Sequence, residues 1–138
     1  MHEPWSSRRA RRTSPRVGVE ALCTEIVDGR ERHALLADVS DTGLRLTRPF
    51  FGGPTPRVVQ LEFELPGIDE VMWAKGEVCF DQVQRGAAGI VRTSGVRFAA
   101  AAAHDLRLVR DYVFELWHTA ERDAELAFLG DTTRWTRG

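Results

Sequence analysis

Lysine is almost missing from this chain. Of its 19 basic residues, 18 are arginine and one is Lys75. A GC-rich genome is enough to produce that bias, so a single arginine motif carries little weight. Cysteine is scarce as well. Cys23 and Cys79 lie far apart with no CxxC, which argues against a disulfide framework and a zinc site. Both fall in strand-like stretches and are expected as buried free thiols. No apolar run reaches the about 18 residues that a membrane helix needs, so no membrane segment is expected. The arginines near the start are not followed by the apolar stretch of a secretory signal, which makes the cytoplasm the expected location. The four histidines, His2, His33, His104 and His118, show no metal-ligand spacing. There is no GxSxG and no P-loop. No catalytic constellation is legible, and neither an enzyme nor a cofactor is expected.

What is present is an ordinary globular mix. The 138 residues are 43% hydrophobic and 28% charged, which suits one domain with its own core. A net charge of −1 argues against a dedicated nucleic-acid binder. The charge is unevenly spread, however. Residues 1–16 hold five arginines against one acid, Glu3, whereas 104–128 hold six acids against three arginines. A local anion site at the front of the chain is therefore open.

Residues 1–10 read as a flexible basic arm. From Val17 the texture turns strand-like. Val17, Val19, Ala21 and Cys23 recur at period two, with Leu22 and Ile26 on the other parity. Asp28-Gly29 then interrupts two apolar runs. Both residue types tolerate positive φ, so this is a hairpin signal. "GLRLT" puts Leu44 and Leu46 on one face and Arg45 on the other. "FFGGPTP" reads as a connection. "RVVQLEFELPG" alternates cleanly, with Val59, Leu61, Phe63 and Leu65 facing in and Gln60, Glu62 and Glu64 facing out. "VMWAKGEVCFDQV" is a long strand in which Gly76 marks a bulge or a close backbone approach. "RGAAG" is a turn and "GVRFA" a last short strand. Six or seven short antiparallel strands with turns between them form a small barrel or sandwich, a mainly β fold occupying 11–103. The period then changes. Leu106, Val109, Val113, Leu116 and Ala120 follow helical spacing, which predicts a helix over 104–128 and a polar tail over 129–138.

Two short elements stand out. "RTSPR" carries Arg12 and Arg16 as an RxxxR, and "DVSDTG" carries Asp38, Ser40 and Gly43 as a DxSxxG. The residues between them read as a hairpin, which returns the chain to its start and brings the two elements together. Arginine presents a planar fork that matches phosphate oxygens and the O6/N7 edge of guanine. Asp38 is an acceptor for guanine N1–H and its amino group, and Ser40 either donates or accepts. Gly43 allows a positive φ and removes a Cβ, so that the turn can press on a flat ligand. Other readings of the same residues are a solvated arm and a turn closed by Asp38 and Ser40.

Together, and in this order, the two motifs resemble those of the PilZ domain, the bacterial receptor module for cyclic di-GMP. Arg11 fits the doubled arginine often found there, "GEVCF" and "GVRF" are similar to the family's later strands, and a C-terminal helix is common. The resemblance covers residues 11 to 115. It implies a PilZ-type barrel followed by a long C-terminal helix, with Arg11, Arg12 and Arg16 gripping guanine edges and phosphates and Asp38, Ser40 and Gly43 cradling a guanine. Arg8 and Phe80 are candidates for additional contacts, Phe80 because the family often places an aromatic there. The implied protein is a single-domain receptor whose basic arm orders on the ligand and which signals through a protein effector not identified by the sequence. The helix offers a surface for that effector or for a homodimer, with Phe114, Trp117 and Trp135 as a candidate aromatic patch. The alternatives are a PilZ-like interaction adaptor that does not bind the nucleotide and a nucleic-acid contact through the arm.

Overall fold

A computed structural model describes the backbone of residues 15–50 and 52–137 and the side chains of 15–50 and 52–127. Six strands run in order β1 (Arg16–Val27), β2 (Arg30–Ser40), β3 (Gly43–Pro49), β4 (Val58–Phe63), β5 (Met72–Gly86) and β6 (Gly89–Ala101), followed by α1 (Ala103–Arg137). All pairings are antiparallel, and the order β1-β2-β3-β6-β5-β4 closes on itself through the β1–β4 pair into a barrel. Closure removes the free sheet edges that a six-stranded sheet would otherwise expose.

The turns are those the sequence chemistry predicts. Asp28 and Gly29 both take positive φ, 51° and 76°, and join β1 to β2 as a two-residue hairpin. The alternation in β4 holds: Val59, Leu61 and Phe63 are buried, as is Leu65 just beyond, while Gln60 and Glu64 face water. In β1 the odd positions point inward. That parity also carries Glu25 into the barrel, where it is buried. The even parity faces out, which leaves Leu22 72% and its cross-strand partner Leu35 53% exposed.

Gly76 has both of the features expected of it. The β5–β6 register shifts beside it, and a Cβ there would lie 2.2 Å from Val96 Cγ1. A second shift lies between Val78 and Phe80, where Cys79 is the extra residue. Cys79 shares the outward parity of Trp73 and Lys75 in β5, opposite to the buried Met72, Ala74 and Gly76, and is therefore exposed, against the expectation of two buried thiols, while Cys23 is buried as expected. The last strand is also longer than "GVRFA", because β6 starts at Gly89 and pairs with β5 along the whole hairpin.

The helix closes the barrel mouth where β4 and β6 end and β5 begins. Val109 and Val113 are fully buried there, and Phe63, Met72, Phe98 and Ala101 surround the gap under Val109. The backbone N–H of Trp73 donates to Asp105 Oδ2 at 3.2 Å and ties the first turn to β5. The buried stripe is narrower than Leu106 to Ala120, because the helix meets only the mouth. From Trp117 to Ala127 every side chain is exposed. The helix also runs on to Arg137, through the stretch expected as a polar tail after 128. That stretch holds no proline, and its one interior glycine, Gly130, costs a helix only about 1 kcal/mol. Among the described residues, no helix is long and apolar enough to cross a membrane.

Candidate functional site

The hairpin brings the two sequence elements together. Arg16, the first residue of β1, pairs across with Ser40, the last residue of β2, and Gly18 pairs with Asp38. On the next ladder Asp38 faces Arg45. The result is one buried carboxylate between two guanidiniums. Arg16 Nη1 donates to Asp38 Oδ1 at 3.1 Å, and Arg45 Nε donates to Oδ2 at 2.6 Å with its Nη2 on the same oxygen. Both oxygens of Asp38 are thus engaged. It holds Arg16 in place, and its Oδ1 accepts a single donor among the described residues. Two cations on one anion leave a net positive charge, and Arg16, with 48% of its side chain exposed, keeps donors facing outward.

Ser40 is likewise turned inward. Its Oγ accepts from the backbone N–H groups of Thr42 and Gly43, each at 3.2 Å, and lies 3.3 Å from the Gly43 carbonyl. A hydroxyl used in this way locks the tight turn between β2 and β3. Gly43 is needed for space, and positive φ plays no part: it is absent from the positive-φ glycines, but a Cβ would lie 2.2 Å from the Val96 carbonyl oxygen. Of the two properties offered for Gly43, a permitted positive φ and a missing Cβ, the barrel uses the second. What presses on the turn is strand β6.

Beside this turn opens a cavity of about 610 Å³, bounded by Arg16, Ser40, Gly43, Phe80, Gly95 and Arg97. That volume falls in the range of small-molecule sites, about 300–1,000 Å³. Phe80 forms one wall. Its ring lies over Gly95, where a Cβ would come within 2.1 Å of Phe80 Cε1. Opposite-strand Arg97 donates to Glu77 at the rim. That hydrogen bond, with the Glu77 charge, raises the Arg97 pKa above its already high ordinary value. One wall is aromatic, the floor is glycine backbone, and two arginines stand at the rim. Such a site can hold a flat ring by stacking and an anion by forked hydrogen bonds.

Arg16, Asp38, Ser40, Gly43 and Phe80 therefore come together at one end of the barrel, with Asp38 behind the wall. Arg8, Arg11 and Arg12 lie outside the described residues. Sequence reasoning missed Arg45, Gly95 and Arg97. Arg45 was legible in principle, because β3 returns antiparallel to β2 and sets it opposite Asp38. Gly95 and Arg97 become part of the site only through the β3–β6 pairing, which local sequence does not reveal.

A protein-family model described as PilZ domain matches residues 10–115. Among curated protein sequences no match is found. Among solved structures, the PilZ domain of YcgR from Escherichia coli with c-di-GMP aligns with a TM-score of 0.61 at 14% identity, over 83% of this chain and 98% of that one. MrkH of K. pneumonia in its apo state aligns with a TM-score of 0.65 at 15% identity, over 78% and 52%. The inhibitor of motility MotI/DgrA of Bacillus subtilis aligns with a TM-score of 0.64 at 14% identity, over 77% and 51%. This chain thus spans about half the length of the latter two and nearly all of the isolated YcgR domain. At these identities the structural likeness establishes the fold. The family match covers most of the chain, in agreement with the closed six-stranded barrel, its terminal helix and the paired motifs: the chain belongs to the PilZ domain family.

Proposed function

We propose that this chain is a cyclic di-GMP receptor whose ligand enters the cavity between the 40–43 turn and Phe80. The observation that carries the reading is Arg16, held by Asp38 with free donors at the rim of that cavity. The c-di-GMP bound to the structurally similar YcgR domain supports it. In this reading Arg16, Arg12 and Arg11 grip phosphates and guanine edges, and Arg8 is a further phosphate contact. Asp38 and Arg45 fix Arg16, while Ser40 and Gly43 hold the turn as a flat floor. Phe80 stacks on a base. Binding draws the basic segment onto the barrel, and the ordered segment with its ligand presents a surface to a protein effector.

Calorimetric titration with cyclic di-GMP, with GMP as control, tests this directly. Saturable binding is expected for the native chain, weakened about ten- to hundredfold in Arg16→Ala, since a bidentate arginine contact is worth roughly 1–3 kcal/mol. Asp38→Ala is expected to weaken binding as well, by releasing Arg16. Ligand is also expected to protect the 8–16 segment from trypsin. The absence of heat and of protection at high ligand rejects the reading.

The second reading is an adaptor that meets its partner without the nucleotide. The exposed Leu22–Leu35 pair on the outer barrel face favours a protein contact. Under that reading Leu22→Glu abolishes partner capture and Arg16→Ala does not.

A further inference from the structure

The barrel has a second mouth, where β1 and β3 end and β2 and β6 begin. Five residue steps along β3, from Gly43 to Arg48, separate it from the site above, about 17 Å along an extended strand. Charged side chains converge there. Glu25 points into the barrel, and its Oε1 lies 3.2 Å from Arg48 Nε, both side chains being more than nine-tenths buried. Arg32 Nη2 lies 3.9 Å from Glu25 Oε2. Arg92 Nε lies 3.3 Å from Asp81 Oδ2, and Arg92 Nη2 donates to the Gly53 carbonyl at 3.0 Å. The Arg92 guanidinium also sits 4.8 Å from the centre of the Phe50 ring. Burial alone raises the Asp81 pKa, but hydrogen bonds from Thr55 and Ser94 and the charges of Arg92 and Arg48 outweigh it and hold Asp81 ionised.

Three guanidiniums thus face two carboxylates, with His33 alongside, and one positive charge is left over. The donors are also incompletely used. Arg48 Nη2 reaches Ser94 Oγ at 3.3 Å, but among the described residues Arg48 Nη1, Arg32 Nε and Nη2 and Arg92 Nε have no hydrogen-bond partner, against a single unmet acceptor there, Glu25 Oε1. A buried cation with an unmet donor is costly unless an anion answers it. Burial, and then the like charges of Arg32 and Arg92, lower the Arg48 pKa against the pull of Glu25. Between these side chains lies a cavity of about 250 Å³, lined by Arg32, His33, Arg48, Phe50, Gly52 and Arg92.

We propose that this second mouth is a binding site for a small oxyanion, a phosphoryl or carboxylate group of a compact metabolite, held by Arg32, Arg48 and Arg92 with Phe50 against its body. The guanidinium fork matches either group. The cavity lies below the volume range of drug-sized ligand sites, so the occupant is smaller than a dinucleotide. The site stands apart from the first and does not rest on cyclic di-GMP binding.

The experiment is a nuclear magnetic resonance titration of the full chain, following backbone amides and arginine Nε–H signals. Inorganic phosphate and citrate are added in separate arms, with ionic strength held by chloride. The expected result is saturable movement of the Arg48 and Arg92 Nε–H signals and of the Gly52 and Gly53 amides, with Arg16 and Arg97 unmoved. Arg32→Gln, at the rim, is expected to weaken binding about tenfold, the worth of one charge-assisted hydrogen bond. Saturation by phosphate alone assigns a phosphoryl group, and by citrate alone a carboxylate. Arg48→Gln leaves Glu25 unpaired and can fail to fold, so Glu25→Gln/Arg48→Gln serves as the second variant and is expected to abolish the response. A linear drift equal to that of chloride, or saturation unchanged in both variants, overturns the proposal.

Discussion

Single atoms decide which glycines this barrel tolerates losing. At Gly43 the obstacle to a Cβ is the Val96 carbonyl, which is backbone in a paired strand and has nowhere to go. Gly43→Ala is expected to destabilise the fold by about 1–3 kcal/mol in urea denaturation, the usual range for overpacking. At Gly95 the obstacle is the Phe80 ring, which is 43% exposed and free to swing outward. Gly95→Ala is expected to cost clearly less stability than Gly43→Ala while disturbing the ligand cavity, so cyclic di-GMP affinity falls more than stability does. The two cysteines differ for a similar local reason. Burial, and then the nearby Glu25 charge, push the Cys23 thiol up to about 12 from an ordinary 9.0. Alkylation of the native protein at mild alkaline pH is expected to modify Cys79 alone, with Cys23 reacting after denaturation. A thiol whose folded pKa is raised favours the folded state fully below its unfolded pKa. That contribution is then lost as pH rises from about 9 toward 12. Tyr112, also raised by burial, adds in the same sense at higher pH. Denaturant midpoints against pH are expected to fall over this window, and less steeply in Cys23→Ala.

The elements contribute unequally. In α1 the stabilising contacts belong to the two turns holding Val109 and Val113, which plug the mouth of the barrel. Val113→Ala is expected to cost about 2 kcal/mol from lost burial and the cavity left behind. Truncation after Trp117 removes a helical segment whose described side chains are all exposed. It is expected to shift the denaturation midpoint little, within about 0.5 kcal/mol. A large loss on truncation, joined to a change in oligomeric state, would show that the outer half of α1 is covered by a partner. Trp117, 36% exposed, and Phe114 lie on the described part of that helix, whereas Trp135 lies outside the described side chains.

At the scale of the whole molecule, the barrel has two ends with different chemistry. One mouth is plugged by helix side chains and flanked by the Arg16 cavity; the other holds the Glu25–Arg48 pair beside the smaller arginine-lined cavity. A ligand that binds only the folded barrel stabilises all of it. At a hundredfold excess over its Kd, cyclic di-GMP is expected to add about 2.7 kcal/mol. This reads as a rise in Tm for the native chain and for Gly95→Ala at higher ligand, and as a clearly smaller rise for Arg16→Ala at the same concentration, about 0.4–1.4 kcal/mol for binding weakened ten- to hundredfold. Breaking the far pair is a test of the fold rather than of the ligand. Glu25→Gln leaves Arg48 buried without its anion and is expected to cost about 3–5 kcal/mol.

The sequence by itself determined the elements whose signals are local. The β1–β2 hairpin follows from Asp28-Gly29, the two-faced β4 from strict alternation, and the terminal helix from the change of period after Ala101. It also determined that Arg16 meets the 38–43 turn, because a hairpin returns the chain to its start. Tertiary structure alone decided what each motif residue touches. Asp38 is engaged by Arg45, Ser40 locks its own turn, and Gly43 makes room for β6. It decided as well which face of β5 turns inward, which leaves Cys79 outside with Trp73 and Lys75, and that Glu25, Arg48 and Arg92 converge at the second mouth. The physical reason is that periodicity records which face a residue takes, whereas closure of the barrel through the β3–β6 and β1–β4 pairs sets which distant residues share that face.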